Sequence, residues 1–123
     1  MSPKEILVVD DEWDEVEILT GLLLSEGHRV QHAFDGHEAL QVLAQSAVDL
    51  VVTDYMMPRM NGCELLMTML AGETTAKVPV LMISALPEGI VRTKCAPVQA
   101  FLQKPFSPQQ MLGQVRGLLA AVV

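Results

Sequence analysis

The stretch Ile6-Leu7-Val8-Val9-Asp10-Asp11 decides how this chain is read. Four apolar residues in a row, with no polar alternation, are the pattern of a strand buried on both faces, and such strands belong to parallel sheets covered by helices. The two acids that follow mark where the chain leaves the core. A second run, Leu50-Val51-Val52-Thr53, ends in the same way at Asp54. If the two strands are parallel neighbours, Asp10, Asp11 and Asp54 meet at one edge of the sheet. Like charges that close repel, so the cluster needs a compensating cation. A small hard cation with oxygen ligands, such as Mg2+, suits it.

Outward from these runs, short apolar strands alternate with amphipathic helices. The expected strands are Glu5 to Val9, Arg29 to Ala33, Asp49 to Thr53, Val78 to Ile83 and Val98 to Leu102. A first helix is expected from Glu12 to Ser25, with Trp13, Val16, Leu19, Leu23 and Leu24 on its inner side and Gly27 past its end. A second runs from Gly36 to Gln45, with Ala39, Leu40 and Leu43 inward. Pro58 and Asn61-Gly62 mark a loop before a third, Cys63 to Ala71. The last helix has the clearest start: Ser107-Pro108-Gln109-Gln110 offers an N-cap serine, a proline at the first helical position and a glutamine at the third. Met111, Val115, Leu118 and Val122 then recur at helical spacing to the end of the sequence. This alternation implies right-handed crossovers and a doubly wound, five-stranded parallel α/β sandwich. In such sheets ligands bind outside the carboxyl ends of the strands, where the three acids stand.

The 123 residues suit one domain, 1–123, and an apolar share of 50% gives it a proper core. A net charge of −7 argues against direct binding of nucleic acid, which needs a basic footprint. Glu12, Asp14 and Glu15 are explained as an acidic, solvated helix start. Cys63 and Cys95 lack metal-ligand spacing, and two free thiols in a reducing cytosol are expected. The three histidines, on or beside the second strand, carry no ligand pattern. Met1-Ser2-Pro3-Lys4-Glu5 leads straight into a strand without a secretory leader, and no run is long enough to span a membrane. A soluble, cytoplasmic protein with no membrane partner is the expectation.

Two further strand ends complete the constellation. The fourth strand ends at Ser84-Ala85, and the fifth leads into Lys104-Pro105-Phe106. Three acids, a hydroxyl and an ammonium at one edge fit phosphoryl transfer to a carboxylate. Asp54 is the candidate nucleophile. Asp11 and Asp54 are candidate Mg2+ ligands, with Asp10 in support. Lys104 is placed to neutralise charge on the transferring group, and Ser84 to donate a hydrogen bond to it.

With these pieces in order, Ile6–Glu12, Thr53-Asp54-Tyr55-Met56-Met57-Pro58, Asn61-Gly62, Ser84-Ala85 and Lys104-Pro105-Phe106, the chain resembles the receiver domain of two-component response regulators. The resemblance implies a flavodoxin-like fold and a phosphoryl group accepted on Asp54 from a histidine kinase or histidine phosphotransfer protein. It implies Mg2+ on Asp11, Asp54 and the backbone carbonyl of Met56, assisted by Asp10. Ser84 matches the switch hydroxyl and Phe101 the switch aromatic. The surface of the fourth helix, fifth strand and fifth helix is then the docking face for a partner or second copy. Met56 and Leu86, both apolar, flank the expected route of hydrolytic water, so a long-lived acyl phosphate is expected.

Leu86 to Pro97 departs from the family pattern. Pro87, Gly89 and Pro97 interrupt it, and Cys95-Ala96-Pro97 stands where a Gly-Ala pair is common, so the fourth helix is expected to be short, irregular or mobile. Two other functions compete. A metal-dependent aspartyl phosphatase usually has two acids separated by one residue after the first strand, whereas here they are adjacent. A pseudo-receiver acting by contact alone would have lost Asp54, Lys104 or the acid pair. The missing Gly-rich fingerprint removes a dinucleotide-binding module.

Overall fold

The computed structural model describes residues 3–121. Five strands, β1 (Glu5–Val9), β2 (Arg29–Ala33), β3 (Leu50–Asp54), β4 (Val80–Ser84) and β5 (Ala100–Gln103), form one parallel sheet in the order β2-β1-β3-β4-β5. Register pairs Val9 with Thr53, Asp54 with Ile83 and Ser84 with Gln103, so every chain exit lies at the same edge. Five α-helices alternate with the strands: α1 (Trp13–Ser25), α2 (Gly36–Gln45), α3 (Gly62–Ala71), α4 (Glu88–Lys94) and α5 (Pro108–Ala120). A short 3-10 turn, Thr75–Lys77, precedes β4.

The apolar runs split by parity. Ile6, Val8, Leu50, Val52, Leu81 and Ile83 face α1 and α5, meeting Val16, Leu19, Leu23, Met111, Val115 and Leu119. Leu7, Val9 and Val51 face the other way, toward Ala39, Leu65 and Met69 of α2 and α3. Both faces are covered, and Ile6 to Val9 are wholly buried, each contributing on the order of 1.5–3 kcal/mol. That explains why these strands read as unbroken apolar runs. The edge strand β2 mixes exposed and buried positions.

Ser107 caps α5 in a full capping box with Gln110, and Asn61 does the same for α3 with Glu64. Gly27, at φ 85°, makes the left-handed turn after α1. On α5, Leu119 rather than Leu118 occupies the third buried position, and the expectation for Val122 lies outside the described residues. On α1, the inner positions expected for Trp13 and Leu24 are corrected: they are 52% and 54% exposed. Both sit about a quarter-turn or more from the centre of the Val16–Leu19–Leu23 stripe. Trp13 packs instead on His32 and Phe34, with ring centroids 5.8 and 5.9 Å away.

The fourth helix is short, as expected, but regular. It has 7 residues, Pro87 at its N-cap without a side-chain cap, and Val91 as its buried side chain. Arg92 ties it down, binding Glu88 at 2.6 Å and the carbonyls of Val98 and Gln99. The expectation of two free thiols is overturned: Cys63, in the first turn of α3, and Cys95, the C-cap of α4, form a disulfide with a Cα–Cα distance of 5.8 Å. Chain distance hid it, because α3 and α4 cover the same face of β4 and send both sulfurs toward Met82 and Phe101. Among the described residues no helix is long and apolar enough to cross a membrane.

Candidate functional site

Four strand ends build the site. After β1, the Asp10 N–H donates to the Ala33 carbonyl at 3.1 Å, and Asp10 Oδ1 accepts the Glu12 N–H at 3.0 Å. This fixes a carboxylate that is 1% exposed at the mouth of the β1–α1 turn. Glu12 takes the N-cap position of α1, and its side chain makes no capping bond. Asp54 ends β3, 7% exposed; its Oδ1 accepts the Met56 N–H at 3.3 Å and its Oδ2 lies 3.4 Å from Lys104 Nζ. The same ammonium is 3.4 Å from Glu15 Oε1 and 3.9 Å from Asp10 Oδ2. Its backbone N–H donates to the Ser84 carbonyl at 2.8 Å, which docks the end of β5 onto the end of β4. The Lys104–Pro105 peptide bond is cis.

Asp10, Asp11, Asp54 and Lys104 therefore come together. Ser84 is fully buried at the end of β4, and its hydroxyl accepts the Leu86 N–H at 3.1 Å. Phe101 is buried opposite Met82, in a cluster with Tyr55, Leu66, Val91 and the two cysteines. The Met56 side chain points out, 61% exposed. Two residues were missed by sequence reasoning. The carboxylates of Asp10, Asp11 and Glu12 can bring oxygens within 4.8 Å of one another, so Glu12 joins the acid pair. Glu15 belongs to the Lys104 network rather than to a solvated helix start.

The electrostatics follow from burial. Desolvation pushes Asp10 up to about 7 from its usual 3.8; the Glu12 N–H works against this, and the charge on Asp54 adds to it. Desolvation likewise raises Asp54, with Lys104 opposing. Burial pulls the Lys104 ammonium down, yet Asp54, Asp10 and Glu15 together hold it above its usual value. A single cation among these acids leaves the cluster short of positive charge. The donor set is all hard oxygen, and the Asp10–Asp11–Glu12 cluster fits a divalent ion such as Mg2+.

Residues 6–116 match the response regulator receiver domain family. This chain belongs to that family. The receiver is 35% identical over 118 residues to the regulatory protein VanRc of Enterococcus gallinarum, covering 94% of this chain and 49% of that protein. It is 35% identical over 117 residues to the transcriptional regulatory protein CpxR of Escherichia coli K12, again 94% of this chain and 49% of the relative. The receiver thus spans about half the length of the curated relatives it matches. Its fold superposes on the chemotaxis response regulator CheY4 of Vibrio cholerae with a TM-score of 0.88 and 27% identity, covering 96% of this chain and 100% of that one.

A pH dependence follows from the raised carboxyls. Between about pH 4 and 7 the folded receiver holds the Asp10 proton more tightly than the unfolded chain, so stability falls as pH rises through that window. Asp54 acts in the same direction. Asp35, held low by the Glu38 N–H and Arg59, loses its contribution only on acidification below the usual carboxylate range, outside this window. Without divalent metal, the unfolding midpoint should therefore drop from pH 5 to pH 8. Added Mg2+ should raise it more at pH 8 than at pH 5, because protons compete for the same oxygens. Thermal scans in EDTA and in Mg2+ across this range check both; a midpoint rising with pH in EDTA would contradict the assignment.

Proposed function

We propose that residues 1–123 act as one phosphoacceptor receiver, taking a phosphoryl group onto Asp54 from a histidine kinase or histidine phosphotransfer protein. The observation that carries this is the buried Asp54 carboxylate facing the Lys104 ammonium at 3.4 Å, with Asp10 on the same ammonium. An Asp54 carboxylate oxygen attacks phosphorus, the donor's phosphorus–nitrogen bond breaks, and the imidazole leaves. Lys104 moves from the carboxylate to the incoming phosphoryl oxygens, whose charge it offsets. Asp10, Asp11, Asp54 and the Met56 carbonyl would hold Mg2+, with Glu12 at the rim. When bound, the ion would neutralise charge on the transferring group.

The Ser84 hydroxyl, now accepting from Leu86, turns to donate to a phosphoryl oxygen. Phe101 then repacks, and the face formed by α4, β5 and α5 becomes the docking surface for a partner or second copy. Incubation with acetyl phosphate and Mg2+, followed by intact mass, tests the core of this reading. One added phosphoryl group is expected on the wild type and none on Asp54→Ala; equal labelling of both would overturn it. The exposed Met56 side chain cannot orient hydrolytic water, so Met56→Asn should shorten the acyl-phosphate half-life by a few-fold. An unchanged decay, followed by mass over time, would count against that role.

A further inference from the structure

The disulfide between Cys63 and Cys95 lies outside the acidic edge, and the phosphoacceptor reading does not use it. Its position is specific. Cys63 follows Gly62, whose N–H donates to the Tyr55 carbonyl at 2.7 Å, directly after Asp54. Cys95 closes α4, is 1% exposed, and packs with Phe101, Met82 and Val91. The bond therefore joins the segment leaving the phosphoacceptor to the far end of α4, through the cluster in which Phe101 sits. Two turns of helix with no N-terminal side-chain cap have little stability of their own. Val91, the Arg92 contacts and this covalent link hold α4 in place.

We propose that Cys63 and Cys95 are a reversible redox-modification site that sets how freely α4 and the Phe101 cluster repack. The co-reactant is a low-molecular-weight disulfide of the glutathione type. The Cys63 thiolate, on the partly accessible residue, attacks one sulfur of that disulfide, forming a mixed disulfide and releasing one thiolate. The Cys95 thiolate then displaces the second, so a protein dithiol and one small disulfide become a protein disulfide and two small thiols. A dithiol reductant runs the exchange backward. Oxidation locks α4 to α3, and reduction frees it. The consequence for signalling rests on the proposed phosphoacceptor function; the redox step and its effect on α4 do not.

The full chain is equilibrated at graded ratios of reduced to oxidised glutathione, alkylated with iodoacetamide and weighed. Amide hydrogen exchange over residues 86–99 is then compared between the oxidised and reduced forms without phosphorylation. The expected result is a reversible passage from two alkyl groups to none, with exchange in 86–99 slower by about tenfold or more when oxidised, and α1 and α5 unaffected. Cys63→Ala should exchange like the reduced form at every ratio. Two alkyl groups at the most oxidising ratio, equal exchange in the two forms, or loss of protection throughout the chain on reduction would each overturn the proposal. Acetyl phosphate labelling is read separately by mass. Its failure would strike the phosphoacceptor reading and leave the redox result standing.

Discussion

Replacing Lys104 with methionine should slow phosphoryl transfer to Asp54 by about 10²–10³-fold while leaving the fold in place. The ammonium is the positive group among three acids: 3.4 Å from Asp54 and from Glu15, and 3.9 Å from Asp10. In the proposed transfer it is the side chain that would meet charge on the transferring oxygens. Methionine keeps the length of the buried stem and removes the charge. Stability should change little, because the acids have a way out: Asp10, already pushed up to about 7, takes a proton at neutral pH once its counter-charge is gone. The window in which stability falls with pH should accordingly extend to higher pH. Lys104→Arg should not restore the rate, since a planar fork does not reproduce a compact ammonium at this spacing. A time course of acetyl phosphate labelling with thermal unfolding alongside checks both halves. Labelling within twofold of the wild type would remove Lys104 from the transfer step.

The sheet was largely legible because burial on both faces writes itself into sequence. Ile6 to Val9 and Leu50 to Val52 have no polar alternation since α1 and α5 cover one side and α2 and α3 the other. Ser107-Pro108 announced α5 because a capping box is a local interaction, complete within four residues. The acids at the strand ends were legible for a related reason, since a carboxylate ending an apolar run has no packing role there. What stayed hidden depends on tertiary placement. Nothing local distinguishes Glu15, turned toward Lys104 from the other end of the chain, from Asp14 beside it. The Cys63–Cys95 bond needs α3 and α4 to lie side by side across a separation of 32 residues. Trp13 reads as core by hydropathy, but its neighbours are the edge-strand residue His32 and Phe34 just after it.

Gly62→Ala should destabilise the receiver by roughly 2–4 kcal/mol and disable Asp54 at the same time. A Cβ at Gly62 would lie 2.5 Å from the Asp54 carbonyl oxygen, 2.9 Å from Tyr55 Cα and 2.6 Å from Met82 Sδ. The methionine sulfur can swing aside, but the two backbone atoms cannot move without carrying Asp54 with them. Retreat of α3 is opposed as well: the Gly62 N–H is bonded to Tyr55, and the Asn61–Glu64 capping box fixes the helix start. The unfolding midpoint should fall by roughly 5–15 °C for a domain of this size. Displacement of Asp54 by about 1 Å from Lys104 should slow labelling by about a hundredfold. Gly113→Ala is the matched control, since an added Cβ there meets open space on α5 and replaces a poor helix former. It should hold or raise the midpoint by a few degrees and leave labelling unchanged. Equal midpoints for the two variants would mean that the β3–α3 junction yields more easily than its backbone contacts imply. Asp54 would then be held by Lys104 and the Met56 N–H rather than by the close approach of α3.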